Sequence, residues 1–252
     1  MAEPKNFLVI IGAPKSGTTT LAALLDQHPA LVLGSEKEPR FFTAFAGVPW
    51  SGPGSEGFVR TLVSEEPAYM SLFANAAKPD ATWAIDASTD YLSCDASPEL
   101  IAQWARRFPT KVVCILRDPV DRAISEYQHT LRDGYEDNDL MTALDLEPER
   151  IASHWHPLFY HLTRSGYQAP LARYRERFGN DLLVVSFSEL RDPVRVTRRL
   201  TDFLGLATAE IEPGVHLNTS YVYRSPAAAR LITSDSLRKL ARLIVPQGLR
   251  SG

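Results

Sequence analysis

Phe7-Leu-Val-Ile-Ile-Gly-Ala-Pro-Lys-Ser-Gly-Thr-Thr-Thr-Leu21 is the stretch that decides how this chain folds. Its first five residues form an unbroken apolar run rich in β-branched side chains, the pattern of a strand buried on both faces of a parallel sheet. Residues 12–17 read as a tight turn. Leu21, Leu24, Leu25 and His28 then recur at helical spacing until Pro29 ends the pattern, with His28 at the helix end. Strand, glycine loop and helix in that order open an α/β fold, with residues 7–11 as its first and central strand.

The same alternation returns downstream. Ser97-Pro98-Glu99 is expected to cap and open a helix reaching about Phe108, residues 111–116 form a strand, and Asp118-Pro119 cap and open the next helix. Residues 182–187 read as a further strand, and residues 193–204 and 226–244 as helices with proline near the first turn. The expectation is one α/β domain over residues 1–252, a P-loop-type parallel sheet with helices on both faces. Residues 43–79 and 132–161 show no clean period and are too long for simple connections, so they are expected as loops that carry function.

Composition narrows the classes. With 252 residues, 44% apolar and 23% charged, the chain can bury a continuous core, which excludes disordered, coiled-coil and collagen-like classes. Its apolar runs fall far short of the roughly 20 residues a bilayer span needs, and no signal-peptide pattern opens the chain, so a cytoplasmic location is expected. Cys94 and Cys114 cannot build a disulfide framework or a four-ligand zinc site and read as ordinary buried or half-buried thiols. A net charge of −3 argues against a nucleic-acid binder acting through a large positive field, so any anion site must be assembled locally.

A glycine loop between strand and helix is where successive backbone amides and a helix N-terminus cradle phosphate. Residues 12–20 match the nucleoside-triphosphate loop at Gly12, Gly17 and Thr19, but Thr18 stands where that loop has its lysine, and the lysine is at Lys15. Without a lysine on the β/γ-phosphates beside magnesium the loop suits a Mg-triphosphate poorly, and a single 5′-phosphate with an attached leaving group fits better.

Residues 13–21 resemble the 5′-phosphosulfate loop of sulfotransferases that use 3′-phosphoadenosine 5′-phosphosulfate (PAPS). A second block, residues 112–127, resembles that family's 3′-phosphate motif, in which a strand ends in arginine and a serine follows eight positions on; Arg117 and Ser125 fill those places. The resemblance implies that Pro14, Lys15, Ser16, Gly17, Thr18, Thr19 and Thr20 hold the 5′ end of the donor. Arg117 and Ser125 would hold its 3′-phosphate, and Arg224, in a clasping loop at about residues 215–226, would assist. PAPS would be the cosubstrate, adenosine 3′,5′-bisphosphate the product, and no metal would be required. Two rivals remain open: a P-loop kinase of small metabolites, and a catalytically silent nucleotide-binding protein.

Sulfuryl transfer needs a base for the nucleophile and positive charge on the departing oxygen, the latter expected from Lys15. Ser35-Glu-Lys-Glu-Pro-Arg-Phe-Phe42 resembles the segment of heparan-type and related bacterial sulfotransferases in which a glutamate ahead of paired phenylalanines is the catalytic base, and Glu38 occupies that position. Asp86, within residues 83–92, is the auxiliary catalytic candidate. In the heparan 3-O enzymes the matching segment reads acid-lysine-threonine, whereas Ala87 stands here in place of the lysine. His129, His154, His156 and His161 remain alternative bases. Between Arg132 and Arg150 the chain carries Asp133, Glu136, Asp137, Asp139, Asp145, Glu147 and Glu149, a run expected to repel a polyanion. The acceptor is therefore expected to be a small neutral or cationic alcohol, phenol or amine, with Phe45, Trp50, Trp155 and Tyr160 as apolar walls. Neither a nucleic acid nor a membrane is expected as partner, and the sequence leaves the oligomeric state open.

Overall fold

Strand β1 (Asn6–Gly12) sits at the centre of a five-stranded sheet because both of its faces are apolar: residues 7–12 are all buried. The computed structural model describes residues 5–74 and 78–212. β1 lies between β3 (Trp83–Ala87) and β4 (Thr110–Leu116). β2 (Leu31–Leu33) and β5 (Leu182–Ser186) are the edges, giving the order β2-β3-β1-β4-β5 with every pair parallel. Pairing puts Val9 beside Asp86 and Val112, and Ile10 beside Ala87 and Val113.

Alternation along the strands makes two cores. Phe7, Val9 and Ile11 point with Val112 and Cys114 to one face, which is covered by three helices, α3 (Glu66–Ala74), α4 (Ser97–Ala105) and α8 (Gln168–Phe178). Leu8 and Ile10 point with Val113 and Ile115 to the other, covered by α1 (Thr18–Asp26) and α9 (Pro193–Leu204) through Leu21, Leu25, Val196, Leu200 and Leu204. β3 and β4 leave on opposite sides of β1, so the crevice at the carboxyl ends of these strands is where an open parallel sheet takes a ligand.

The expected α/β architecture stands, and the helix at residues 193–204 has the expected limits. Asp118 caps α5 (Pro119–Arg132) as expected, accepting from the amides of Val120 and Asp121 at 2.9 and 3.1 Å. Both cysteines are buried and free. Ser97 differs: Ala96 takes the cap position, and the Ser97 hydroxyl instead donates to the Phe42 carbonyl at 2.6 Å, tying α4 to the loop after β2. Residues 43–79 and 132–161 are not plain loops. They hold α2 (Ser55–Arg60) and α3, and α6 (Leu140–Asp145) and α7 (Glu147–Ala152); three of these four are six residues long, too short to display a helical period. The expected helix at residues 226–244 and the loop at about 215–226, with Arg224, lie outside the described residues. Among the described residues no helix is long and apolar enough to cross a membrane.

Trp104 of α4 packs against Phe7, Phe41, Phe42, Tyr69 and Phe108, joining the sheet to the segment that carries Glu38. Trp104→Ala is expected to lower unfolding free energy by about 3–5 kcal/mol. Urea titration checks this, and a loss below about 1 kcal/mol would show that the cluster is not a structural centre.

Candidate active site

The glycine-loop side of the site is built where β1 and β4 end. Lys15 and Gly17 are both left-handed (φ +62° and +85°), a backbone that turns successive amides inward as an anion-binding concavity ahead of α1. A Cβ on Gly17 would stand 2.3 Å from Leu190 Cδ1, and one on Gly12 2.9 Å from the Thr89 carbonyl oxygen. The loop is thus seated tightly between the turn after β5 and the turn after β3. Pro14, Ser16 and Thr18 are buried, Lys15, Gly17 and Thr20 half-buried, and Thr19 exposed.

Arg117, at the end of β4, reaches this loop: its Nη1 donates to the Lys15 carbonyl at 3.3 Å, and its guanidinium lies 5.0 Å over the Phe187 ring. Its Nε is buried without a hydrogen-bond partner among the described residues. A buried, partnerless guanidinium N–H beside an amide concavity fits an anionic ligand. Ser125 is half-buried two turns along α5. Burial lowers the Lys15 pKa, and the nearby Arg132 lowers it further, against the opposing pull of Glu126 and Asp133. Charged groups on α5 and at its C-terminal end, Glu126, Arg132 and Asp133, thus act on Lys15.

Glu38 stands beside the turn that carries Thr89. Its Oε2 accepts from Thr89 Oγ1 at 3.2 Å and from Arg40 Nη2 at 3.1 Å. Its Oε1 has no hydrogen bond among the described residues and meets only the Lys37 ammonium, at 4.0 Å. The side chain is 19% exposed, with one carboxylate oxygen clamped and the other without a hydrogen bond among the described residues.

Asp86, expected as an auxiliary catalytic group, is instead enclosed. Its Oδ1 accepts from Ser88 at 2.8 Å, and its Oδ2 from Tyr69 and Tyr91 at 3.0 and 2.7 Å. Burial drives its pKa up to about 6 despite these three donors. Ser88 and Tyr91 in turn accept the amides of Arg40 and Phe42, so Asp86 is tied through them to the Glu38 loop.

Ion pairs that no sequence pattern announces run beneath the site. Asp90 joins Arg40 to Arg164, and Glu126 joins Arg164 to Arg122, with Arg164 2.7 Å from both acids. Burial opposes ionisation of both acids, but the arginines outweigh it and hold Asp90 below the usual carboxylate range and Glu126 at about 2. Arg122 and Glu126 form an i,i+4 pair on α5. Asp90 and Arg164 lie 74 residues apart and share no local signal.

Of the four histidines considered as bases, His129 lies in the field of Lys15. Burial, then Lys15, pushes it down to about 4, which leaves it neutral at pH 7 and a weak base. His156 is buried, bonded through Nε2 to the Pro53 carbonyl and stacked on Phe58; His161 is fully buried; His154 is exposed.

The acidic run divides: Glu136 and Glu147 are buried, Asp133 is half-buried, and Asp137, Asp139, Asp145 and Glu149 stay exposed. Glu136 is buried against Arg150, and Glu147 accepts the amides of Leu162 and Thr163. Asp139 caps α6, and Asp133 pairs with Arg132. The charge argument against an anionic acceptor is weakened by the two buried acids and rests on the four exposed ones. The expected apolar walls also pack on one another: Phe45 on Trp50 and Phe58, and Trp155 on Phe159, while the Tyr160 hydroxyl donates to the Trp155 carbonyl. Among the described residues no group of three or more His, Cys, Asp or Glu side chains is arranged to hold a metal ion.

Asp86 ionises at about 6 in the fold and at 3.8 when unperturbed, so the folded chain holds an extra proton between those values. Stability tied to protonated Asp86 is present below about pH 4 and lost as pH rises through about 6. Relative to Asp86→Asn, the wild type should lose about 3 kcal/mol between pH 4 and 7 in urea titrations. Parallel pH profiles for the two proteins would contradict the buried-carboxyl assignment.

A family model described as "Sulfotransferase family" matches residues 8–210. Heparan sulfate glucosamine 3-O-sulfotransferase 3B1 of Mus musculus is 28% identical over 204 residues, covering 79% of this chain and 45% of its own length. Bifunctional heparan sulfate N-deacetylase/N-sulfotransferase 4 of the same species is 26% identical over 214 residues, covering 79% and 22%. The chain thus spans less than half the length of these curated relatives. The crystal structure of a sulfotransferase from Alicyclobacillus acidocaldarius superimposes with a TM-score of 0.78 at 32% identity, over 96% of this chain and 95% of that one. With the family model covering most of its length and the glycine loop set at the sheet's switch point, the chain belongs to the sulfotransferase family.

Proposed function

We propose that this protein transfers a sulfuryl group from PAPS to a hydroxyl or amine acceptor, releasing adenosine 3′,5′-bisphosphate. The observation that carries the reading is the meeting of Arg117, with its buried partnerless Nε, and the loop of Lys15, whose lysine is displaced from the triphosphate position. PAPS supplies an activated sulfuryl group on a 5′-phosphate. The amides and hydroxyls of residues 14–20 hold that end, and Arg117 and Ser125 hold the 3′-phosphate. Arg224 is retained as a second 3′-phosphate ligand, outside the described residues.

Glu38 Oε1 takes the proton of the acceptor as its oxygen or nitrogen bonds to sulfur, and the bond from sulfur to the bridging phosphate oxygen breaks in line. Lys15 places positive charge on that oxygen as it takes up the electron pair. Asp86 acts as a positioning residue, holding the segment that carries Glu38. The close seating of Gly12 against Thr89, which itself bonds Glu38, supports donor and base working on one reaction centre. Heparan-type glycans, acted on by the mouse relatives, stand beside phenols and amines as acceptor classes to be screened.

Calorimetry with adenosine 3′,5′-bisphosphate and with ATP, each with and without magnesium, tests the donor. Tight metal-independent binding of the bisphosphate is expected, and preference for Mg-ATP would favour a kinase instead. Arg117→Ala is expected to weaken bisphosphate binding by about 100-fold while sparing adenosine 5′-monophosphate. Equal losses for both nucleotides would remove Arg117 from the 3′-phosphate. Lys15→Met should cost about 100- to 1,000-fold in kcat for transfer from radiolabelled PAPS. Absence of turnover by the wild type across phenol, amine and heparan acceptors would point to a silent nucleotide-binding protein.

A further inference from the structure

Glu38 and Arg40 both adopt left-handed backbone, φ +55° and +54°, with Pro39 between them. Residues other than glycine keep such a conformation only where the surroundings over-determine it, and such positions cluster at functional sites. Here Arg40 is what over-determines it. Its Nη2 donates to Glu38 Oε2 at 3.1 Å and its Nη1 to the Glu38 carbonyl at 3.2 Å and to Thr61 Oγ1 at 2.7 Å. Its Nε donates to Asp90, its amide to Ser88, and its guanidinium lies 4.7 Å over the Phe58 ring.

We infer that Arg40 is a positioning residue that clamps Glu38 Oε2 so that Oε1 faces the acceptor, and that the buried chain Asp90–Arg164–Glu126 fixes Arg40 to the donor-side helix α5. This rests on the reading of Glu38 as the base. The guanidinium fork is required because its acceptors lie in different directions: a carboxylate, a carbonyl and a hydroxyl on one side, and Asp90 on the other. An ammonium ion offers no such rigid plane. The anchor is equally specific, since Asp90 accepts from Arg164 at 2.7 Å and Glu126 accepts from Arg164 and Arg122 at 2.7 Å each. Glu126 adjoins Ser125 in sequence and lies in the field of Lys15, so the same helix carries the donor contacts and the far end of the chain.

The test is a double-mutant cycle on the full chain with Arg40→Lys, Arg40→Met and Glu38→Gln. Transfer from radiolabelled PAPS is followed to p-nitrophenol and to an N-sulfated heparan oligosaccharide, alongside calorimetric affinity for adenosine 3′,5′-bisphosphate. Both Arg40 variants should lose about 10- to 100-fold in kcat, with bisphosphate affinity held within about threefold. In the Glu38→Gln background the added Arg40 substitution should change kcat by less than about twofold, because Arg40 acts only through Glu38. Merely structural damage would instead weaken bisphosphate binding and multiply with Glu38→Gln, and that result would overturn the inference. Wild-type kcat in Arg40→Lys with an inactive Glu38→Gln would overturn it while leaving Glu38 as the base. An active Glu38→Gln would remove the base assignment and this inference together. If Arg40→Met does not fold, Arg40→Lys, which keeps the charge, carries the cycle.

Discussion

Burial of β1 on both faces is the constraint from which the rest of the architecture follows. A strand that is apolar on each side must be covered on each side, and the helices of two separate cores do so. Its parallel neighbours β3 and β4 then flank it on opposite sides, which places a crevice where the strands end. The glycine loop leaves β1 into that crevice, Arg117 enters it from β4, and the turn bearing Thr89 and Asp90 enters it from β3. Three chain segments far apart in sequence meet because one strand is central.

The two halves of the site are held by different forces. The glycine-loop half is backbone geometry, with left-handed residues in a short loop and a helix start behind it. The Glu38 half has no regular structure and is held by charge and hydroxyl bonds instead. Asp86 collects the hydroxyls of Tyr69, Ser88 and Tyr91, while Asp90 and Glu126 collect Arg40, Arg164 and Arg122. Each buried acid is paired or fully hydrogen-bonded, as burial of a carboxyl group demands. Their different partners send their pKa values apart, up to about 6 at Asp86 and down to about 2 at Glu126.

Hydrophobic periodicity made β1, β4, β5 and α9 legible, since each is a continuous run or an amphipathic repeat. β2 and β3 escaped it. Three residues are too few for a pattern, and β3 carries an acid at its core because three hydroxyls receive it. Ser97 illustrates a different limit: a serine before proline and glutamate has the composition of a cap, yet its hydroxyl serves a carbonyl 55 residues away. The acidic run at residues 133–149 looked like a surface field when read along the chain. In space Glu136 and Glu147 are internal partners, so counting charges in sequence overstated what a ligand would meet.

By itself the sequence determined the α/β class and the glycine loop with its displaced lysine, and singled out Arg117, Ser125 and Glu38 as candidates, because each is carried by residues close together in the chain. Only the tertiary structure decided what those residues face. It enclosed Asp86, left Glu38 with one clamped and one open oxygen, and joined Arg40 to α5 through acids and arginines drawn from four separate segments. Ion pairs between distant segments depend on how the sheet and its covering loops are stacked, and no local pattern of residue types encodes that stacking.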